Sequence, residues 1–287
     1  MQPIDTSGRV VAVVPHPMPY YSLVLDGPEA WREVLPGQFV MVESSEGLEP
    51  YLRRAFSVHD VSKTDRGARI ELLVKIVGPG TRALAAKRPG DLVAVLGPLG
   101  RPFGPAGVVG GIGGIGGMGG VGGSGDLPAA PQRVALVAGG VGSAPLLLLG
   151  RRLLAEGVVF DFFYGGRGAV DLARLPVFAA LTEESGGELV ATTEDGSVGF
   201  HGLVTAPLAA RLAAGRYRKI FSCGPMGLLK RLAELSAEHG VAGEAALETP
   251  MGCGFGACLG CAVELVDGRF ALCCKDGPVF ASDEVKW

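Results

Sequence analysis

The chain has 287 residues, of which 48% are apolar and 19% are charged, and its formal net charge is −3. This length allows two domains with an additional segment, and the apolar residues are numerous enough to bury substantial cores. A slightly acidic chain without a basic run is not expected to have nucleic acid as its main partner.

No stretch of the sequence is predicted to enter a membrane. Met1–Val14 lacks the apolar region of a secretory signal. The longest uncharged runs are Pro102–Gly125, which is mostly glycine, and Val134–Gly150, which is interrupted by glycines and a proline. Neither suits a membrane-spanning helix. We therefore expect a soluble cytoplasmic protein whose thiols stay reduced.

The first hundred residues are rich in short runs that favour β-strands. Turn signals of Pro, Gly and Asp separate the runs, as in Pro36-Gly37 and Pro89-Gly90-Asp91. Several short strands without intervening helices predict a small closed barrel. The runs are Arg9–Val14, Tyr20–Leu25, Gln38–Val42, Ile70–Val77 and Leu92–Leu96.

Two motifs in this region offer groups that bind phosphates and flat rings. Arg53-Arg54-Ala55-Phe56-Ser57 combines guanidinium groups with an aromatic ring and a hydroxyl. Leu73-Val74-Lys75 is followed by Gly78-Pro79-Gly80-Thr81, whose backbone can approach a pyrophosphate and whose threonine adds a hydroxyl donor. Taken alone, the first motif is more often an ordinary strand start, and the second is more often an ordinary turn.

Between Gly104 and Gly125 the sequence is of low complexity, with a Gly-Gly-x rhythm but without the proline of collagen. Glycine loses too much backbone entropy for this stretch to form a stable helix or strand. We expect a flexible linker or a surface insertion. A phosphate-binding loop is the less favoured alternative, because no helix pattern follows directly.

From Arg133 onwards strands alternate with helices, which predicts a parallel sheet. Val134–Ala138 is a continuous apolar strand, and Gly139-Gly140-Val141-Gly142 separates it from the helical Leu146–Ala155. Such a turn suits a nucleotide phosphate, although Pro145 stands where the last glycine of G-x-G-x-x-G would be. Further strands are predicted at Val159–Tyr164, Val190–Thr193 and Lys219–Ser222, and further helices at Ala206–Ala214 and from Leu228 to Gly240.

Five of the six cysteines lie within residues 251–274. Cys253, Cys258 and Cys261 have the spacing C-x4-C-x2-C, and Cys273 and Cys274 follow after eleven and twelve residues. This is the ligand spacing of a plant-type [2Fe–2S] cluster. The glycines among these cysteines allow the backbone to wrap closely around such a group.

Structural zinc and a disulfide framework are the alternatives for these cysteines. Zinc sites usually contain paired C-x2-C modules, and the sequence has one such pair. Disulfides are densest in small secreted domains. The sixth cysteine, in Cys223-Gly224-Pro225, stands apart from the run, and on local sequence alone it is most simply a small buried apolar residue.

The order of these motifs resembles that of the ferredoxin–NADP reductase superfamily: an RxFS strand, a GxGT turn, a GGxG loop and then CGP. The surroundings of the cysteines resemble, more narrowly, the electron-transfer subunits of NAD-dependent (type 1B) dihydroorotate dehydrogenases. Those surroundings are Glu248-Thr249-Pro250-Met251 and Cys274-Lys275-Asp276-Gly277-Pro278-Val279-Phe280. The resemblance covers the chain except Gly104–Gly125, where this family joins its two domains more directly.

The resemblance implies an α+β multidomain fold. Residues 1–103 would be an antiparallel six-stranded β-barrel that binds FAD, and residues 132–245 an α/β domain with a parallel sheet that binds NAD(H). Residues 104–131 would be the glycine-rich linker or insertion. Residues 246–287 would be a small cysteine-loop domain that holds the [2Fe–2S] cluster.

The resemblance also implies roles for individual residues, none of them catalytic in its own right. FAD would be held by Arg54, Ala55, Phe56, Ser57, Leu73, Val74, Lys75, Gly80 and Thr81. NAD(H) would be bound by Gly139, Gly140, Gly142, Cys223, Gly224 and Pro225, with Cys223 near the nicotinamide. The cluster ligands would be Cys253, Cys258, Cys261 and Cys274. Cys274 is preferred over Cys273 because it directly precedes the Lys-Asp-Gly-Pro-Val-Phe segment, as the last ligand of this family does.

The implied function is electron transfer from the FMN of a separate catalytic subunit, through the cluster and FAD, to NAD+ in pyrimidine (UMP) biosynthesis. The implied assembly is a heterotetramer of two catalytic and two electron-transfer subunits. NAD is expected rather than NADP by family alone. Arg167 could meet a 2′-phosphate, but a solvated arginine is the favoured interpretation. The alternative is a flavin and iron–sulfur subunit of a sulfhydrogenase or of an NADH-dependent ferredoxin–NADP oxidoreductase complex.

Overall fold

A computed structural model gives the fold of residues 3–45, 51–104 and 133–287. These residues form two seven-stranded sheets and one two-stranded hairpin. The predicted glycine-rich linker lies outside the described residues, apart from Gly104. Of the helices in the described ranges, none has the length and apolar character needed to span a membrane.

The first sheet is antiparallel and buries a core that includes Leu23, Trp31 and Ile70. Its strands follow the order β4-β3-β7-β1-β2-β6-β5. They are β1 (Ile4–Pro15), β2 (Tyr20–Gly27), β3 (Phe39–Val42), β4 (Arg54–Ser57), β5 (Asp60–Thr64), β6 (Gly67–Lys75) and β7 (Leu92–Leu99). Helix α1 (Pro79–Ala85) lies between β6 and β7 in the chain.

The expectation of six strands in this sheet is corrected to seven. Five strands correspond to the apolar runs, and β4 corresponds to the RxFS motif. The additional strand is β5, whose sequence is Asp-Val-Ser-Lys-Thr. It lies at the edge of the sheet beside β6. An edge strand tolerates polar and charged side chains, so the apolar alternation that marks a strand is missing from its sequence.

The second sheet has six parallel strands in the order β11-β10-β9-β8-β12-β13. They are β8 (Val134–Gly139), β9 (Phe160–Gly166), β10 (Leu189–Thr193), β11 (Phe200–His201), β12 (Lys219–Cys223) and β13 (Ala242–Ala246). Helices α2 (Ala144–Ala155) and α3 (Leu175–Glu184) pack on one face. Helices α4 (Thr205–Ala213) and α5 (Met226–His239) pack on the other. The strand order reverses between β8 and β12, and ligands of such sheets bind in the crevice outside this point.

The C-terminal segment is attached to the second sheet. Strands β14 (Ala262–Glu264) and β15 (Phe270–Leu272) form a hairpin, and β16 (Val279–Ala281) pairs antiparallel with β13. An apolar cluster unites residues of the first sheet, the second sheet and this segment. Trp287 packs against that cluster, and its Nε1 donates a hydrogen bond to Ser282 O at 2.7 Å. The cysteine segment therefore has little freedom to move relative to either sheet.

Buried and half-buried polar pairs join the first sheet to residues that follow the strands of the second. Asp171 accepts hydrogen bonds from Tyr20 Oη at 2.7 Å and from Lys75 Nζ at 2.9 Å. Arg174 forms an ion pair with Glu71. Each of these pairs spans the two sheets, so they hold the relative orientation of the sheets.

Candidate functional site

A cavity of about 680 Å³ opens at the carboxyl ends of the parallel strands. Lys75 of the first sheet also reaches its wall, so the cavity lies between the two sheets. Five of the six residues predicted to bind NAD(H) line it: Gly139, Gly140, Gly142, Gly224 and Pro225. Sequence reasoning missed several other wall residues because they come from elements far apart in the chain: Thr192, Glu194, Thr205 and Glu248.

Two of the loop glycines are required by close packing. A Cβ atom on Gly142 would lie 2.3 Å from the carbonyl oxygen of Cys223, and one on Gly139 would lie 2.8 Å from Leu228 and Pro225 side-chain atoms. The loops after β8 and β12 are thereby pressed together. Gly140 differs, because it has φ +54° and its nearest neighbour is Tyr20 Oη at 3.7 Å from a built Cβ. Its backbone is open to a ligand.

Cys223 lies behind the cavity wall. Its side chain is buried, and burial, with a smaller contribution from the Glu248 carboxylate, raises the pKa of its thiol well above the ordinary value. The group is therefore a neutral thiol. Glu248 faces the cavity, where desolvation by the surrounding protein raises the pKa of its carboxyl group.

The predicted flavin residues lie on β4, β6 and α1. A Cβ atom on Gly80 would lie 3.0 Å from Arg54 Nε, so the glycine leaves room for the guanidinium group. The hydroxyl of Thr81 was expected to be a phosphate donor, but it is engaged within the turn. It accepts hydrogen bonds from the N–H groups of Val77 at 3.0 Å and Gly78 at 3.2 Å, and donates to Gly78 O at 3.1 Å.

Strand β6 sends alternate side chains to opposite sides. Val74 belongs to the core of the first sheet, whereas Leu73 packs beside Tyr20 and Ala144 at the junction of the sheets. Lys75 is directed to the same junction, where it pairs with Asp171 at 2.9 Å. On β4, Ala55 is exposed, and Phe56 and Ser57 are half-buried.

The cysteine loop brings its thiols together in two pairs. Cys261 Sγ lies 3.2 Å from Cys274 Sγ. Cys253 Sγ accepts hydrogen bonds from the N–H groups of Ala257 at 3.3 Å and Cys258 at 3.4 Å. Desolvation alone would raise the pKa of Cys253, but the N–H groups around it stabilise the thiolate and lower that pKa to about 6.

Cys273 points away from these pairs. Its Sγ lies 3.5 Å from Leu247 O, and burial raises its pKa to about 11. Adjacent residues in this turn therefore have different surroundings. The thiol of Cys274, unlike that of Cys273, contacts the thiol of Cys261.

The donor set fits an iron–sulfur cluster, because thiolates are the ligands of such clusters. Within the described ranges, no three His, Cys, Asp or Glu side chains converge as a single-ion site would require. The loop also has the unusual backbone needed to surround a cluster, with φ of +84° at Gly254, +90° at Gly256 and +59° at Leu259.

The cysteine loop rests on the first sheet. A Cβ atom on Gly254 would lie 2.4 Å from Met41 Cγ. Met41 is on β3, and it pairs with Ala55 of the RxFS strand β4. The predicted cluster loop and the predicted flavin strand are therefore separated by one strand.

Two models of protein families match this chain. Residues 10–103 match the oxidoreductase FAD-binding domain. Residues 248–286 match the iron–sulfur cluster binding domain of dihydroorotate dehydrogenase B. These matches coincide with the first sheet and with the cysteine segment.

Individual proteins are similar over most of the chain. The dihydroorotate dehydrogenase B (NAD(+)), electron transfer subunit of Desulforamulus reducens is 35% identical over 270 residues, which are 93% of this chain and 92% of that protein. The protein of the same name from Caldanaerobacter subterraneus subsp. tengcongensis is 32% identical over 87% of this chain and 86% of its own. The solved structure of an NADH-dependent reduced ferredoxin-NADP oxidoreductase superposes with a TM-score of 0.77 at 27% identity, covering 98% of this chain and 90% of that one.

Proposed function

We propose a function from the premise that this chain belongs to the family of dihydroorotate dehydrogenase B (NAD(+)) electron transfer subunits. It is an oxidoreductase component with an FAD-binding domain and an iron–sulfur cluster binding domain. In the proposed reaction, electrons pass from FMN on a catalytic subunit that oxidises dihydroorotate, through a [2Fe–2S] cluster and FAD, to NAD+. The reaction is a step of pyrimidine (UMP) biosynthesis in the cytoplasm.

The observation that best supports this order is that the first sheet contacts both other sites. Met41 of β3 lies against Gly254 of the cysteine loop, and Lys75 of β6 lines the cavity between the sheets. When bound to this sheet, FAD would exchange electrons with both partners. A hydride carrier transfers two electrons together, and a cluster transfers one electron at a time. The flavin is therefore expected between the other two cofactors.

For FAD, we assign the pyrophosphate to the Arg54 guanidinium and to the backbone of Gly80 and Thr81, and the flavin ring to the neighbourhood of Ser57. Lys75 is held in place by Asp171. The remaining residues of the site shape it through their backbone or packing: Ala55, Phe56, Leu73 and Val74.

For NAD(H), we assign the cavity at the ends of β8 and β12. Gly140 offers an open backbone to the pyrophosphate, while Gly139, Gly142, Gly224 and Pro225 hold the two loops together. The thiol of Cys223 lies behind the cavity wall, and we place the nicotinamide on the other side of that wall. NAD is proposed over NADP by family, since the wall contains both Glu194, which suits a 2′-hydroxyl, and Arg167, which suits a 2′-phosphate.

For the cluster, we assign Cys253 and Cys258 to one iron and Cys261 and Cys274 to the other. The close approach of Cys261 Sγ to Cys274 Sγ supports the second pair. The N–H groups that already stabilise the Cys253 thiolate would stabilise the thiolate bound to iron as well.

We further propose four regions and a heterotetramer. The regions are an FAD domain at 1–103, a linker at 104–131, an NAD domain at 132–245 and a cluster domain at 246–287. The heterotetramer contains two catalytic and two electron-transfer subunits. Phe255 and Leu259, which are 55% and 62% exposed beside the cluster ligands, suit the contact with the catalytic subunit.

The test is reconstitution with the catalytic subunit encoded in the same organism. We expect dihydroorotate-dependent reduction of NAD+ that requires both proteins. The second candidate is a subunit of an NADH-dependent ferredoxin–NADP oxidoreductase complex, which the similarity to that solved structure favours. NADH-dependent reduction of ferredoxin or NADP+, without any dihydroorotate activity, would replace the first proposal by the second.

A further inference from the structure

Strand β3 sends alternate side chains into two different apolar cores. Val40 and Val42 belong to the core of the first sheet. Phe39 and Met41 instead belong to the apolar cluster that includes the cysteine segment. This division follows from the alternation of side chains along a strand. One face of β3 is therefore in contact with the cysteine segment.

The side chain of Met41 lies directly against the cysteine loop. A Cβ atom on Gly254 would lie 2.4 Å from Met41 Cγ and 3.0 Å from Met41 Sδ, so the methionine packs on the Gly254 backbone. Gly254 follows Cys253, an assigned cluster ligand, and the apolar cluster around Met41 contains two more, Cys261 and Cys274. Because Met41 is fully buried, its side chain rather than solvent fills the space behind the loop.

The same face of the first sheet includes side chains of the strand assigned to the flavin. Met41 pairs with Ala55, and Phe39 pairs with Ser57, across the antiparallel strands β3 and β4. Residues directly opposite each other in such strands lie on the same face. Ala55 is exposed and Ser57 is half-buried, so this part of the face is accessible. Met41 therefore contacts the cysteine loop and neighbours the strand to which the flavin ring is assigned.

We infer that Met41 is a positioning residue for electron transfer between FAD and the cluster, because its side chain holds the cysteine loop at a fixed distance from the flavin strand. The inference deepens the proposed function and rests on it, since both cofactors must occupy the sites assigned above. It adds a residue that belongs neither to the RxFS motif nor to the cysteine motif.

Two successive steps, followed from NADH, separate this role from general damage to the fold. NADH gives a hydride to FAD and leaves as NAD+, so the flavin gains two electrons. The reduced flavin then gives one electron to the cluster, where one ferric ion becomes ferrous, and the flavin keeps the other electron. The contact of Met41 with the cysteine loop affects the second step and not the first.

The test compares Met41→Ala with Leu23→Ala in protein that holds both cofactors. Leu23 is also fully buried in the first sheet, but it lies on β2 in the core that β3 shares through Val40 and Val42. Both variants lose a large buried side chain, so both should lower the melting temperature. Stopped-flow absorbance measures reduction of the flavin, and rapid-freeze electron paramagnetic resonance measures reduction of the cluster.

We expect Met41→Ala to slow cluster reduction about ten- to hundredfold, since a displacement of about 1 Å can cost about a hundredfold in a step that depends on position. Flavin reduction in this variant, and both steps in Leu23→Ala, should keep the wild-type rates. Met41→Leu, which conserves most of the side-chain volume, should restore cluster reduction. If Met41→Ala does not keep both cofactors, Met41→Val replaces it with the same expectation, because valine suits a strand.

Hydrogen exchange gives a measurement that does not depend on activity. The N–H groups of Ala257 and Cys258, which donate to Cys253 Sγ, should exchange faster in Met41→Ala than in the wild type, because the loop has lost its support. Unchanged cluster reduction, unchanged exchange, equal slowing in Leu23→Ala or a Met41→Leu variant as slow as Met41→Ala would each overturn the inference. A wild-type protein whose cluster NADH does not reduce would instead refute the proposed function.

Discussion

At the scale of single residues, the neighbours Cys273 and Cys274 direct their thiols to different surroundings. Cys274 Sγ lies against Cys261 Sγ, whereas Cys273 Sγ lies against Leu247 O. We expect Cys274→Ser to lose most of the bound iron, because one of the four proposed thiolate ligands is removed. We expect Cys273→Ser to keep most of the iron, because its thiol lies outside the proposed ligand set.

Both variants are purified without oxygen, and their iron and sulfide contents are measured and compared. The variants differ only in which adjacent thiol is replaced, so each is the control for the other. The reverse result, with iron lost from Cys273→Ser and kept in Cys274→Ser, would contradict the ligand assignment.

A second residue-scale feature is His59, which is buried at the junction of the sheets. Its Nδ1 lies 2.7 Å from Ala144 O, a carbonyl that can only accept, so Nδ1 has the proton and Nε2 is bare. Burial lowers the pKa of His59 from 6.5 to about 4. Below pH 6.5 the unfolded chain binds a proton here that the folded chain binds only below about pH 4, so acid favours unfolding.

The loss of stability that His59 causes between pH 7 and pH 5 is about 2 kcal/mol. We expect His59→Asn to remove this part of the acid sensitivity, because the Asn side-chain amide can donate to Ala144 O but does not titrate. Urea denaturation of the wild type and the variant at pH 7 and at pH 5 measures the free energy of unfolding at each pH. Equal losses of stability in the variant and the wild type would show that His59 is not responsible.

The sequence predicts the residue types of the site better than their individual partners. The cysteine spacing identifies the loop, but only the turn geometry separates Cys273 from Cys274. Nothing in the local sequence marks His59 as buried, because its partner Ala144 is far along the chain. The hydroxyl of Thr81 was predicted to face a ligand, yet nearby backbone groups compete for it more effectively.

At the scale of elements, the loops after β8 and β12 contact each other at the wall of the cavity assigned to NAD(H). A Cβ atom on Gly142 would lie 2.3 Å from the Cys223 carbonyl oxygen, and backbone atoms cannot move aside cheaply. We expect Gly142→Ala to weaken NAD(H) binding at least about tenfold, equivalent to about 1.4 kcal/mol, while FAD stays bound. Isothermal titration with NAD+ measures the change.

The matched control is Gly227→Ala. Gly227 also lines the cavity, but an added Cβ meets no atom within 4 Å, and the residue lies in α5. Alanine there should leave NAD(H) binding within a factor of about two and add up to about 1 kcal/mol of stability. If both variants bind NAD+ equally well, close packing of the two loops does not determine the site.

Elements with strong apolar periodicity were predicted correctly, and those that depend on distant partners were not. The helix predicted from Leu228 to Gly240 is present as α5, and Gly240 ends it with φ +64°. By contrast, β16 has three residues and exists because it pairs with β13. A strand so short has no periodic signal of its own, so sequence reasoning could not find the sheet edge that anchors the cysteine segment.

At the scale of the whole molecule, the first sheet contacts both the cavity, through Lys75, and the cysteine loop, through Met41. The loop exposes apolar side chains. Leu259 is 62% exposed and holds φ +59°, a backbone region that costs a branched residue about 1–2 kcal/mol. An exposed and strained apolar residue beside the cluster ligands suits a docking surface.

We expect Phe255→Asp and Leu259→Asp to weaken assembly with the catalytic subunit, each by at least about tenfold, because a charge would be buried in an apolar contact. Asp tolerates the backbone of Leu259 better than most residues do. Leu92→Asp is the control, since Leu92 is 52% exposed at the start of β7, the end of that strand away from Leu99 and the cysteine loop. Size-exclusion chromatography of the mixed subunits measures assembly, and unchanged complexes in the loop variants would refute this docking surface.

The central claim is that one chain joins a hydride carrier to a one-electron cluster through FAD. The most direct test is the absorption spectrum of anaerobically purified protein before and after addition of NADH. The account predicts flavin bands with broad iron–sulfur absorption, and NADH should bleach both. A colourless protein with bound zinc would contradict the account, and a cluster that stays oxidised while the flavin is reduced would contradict the proposed path between them.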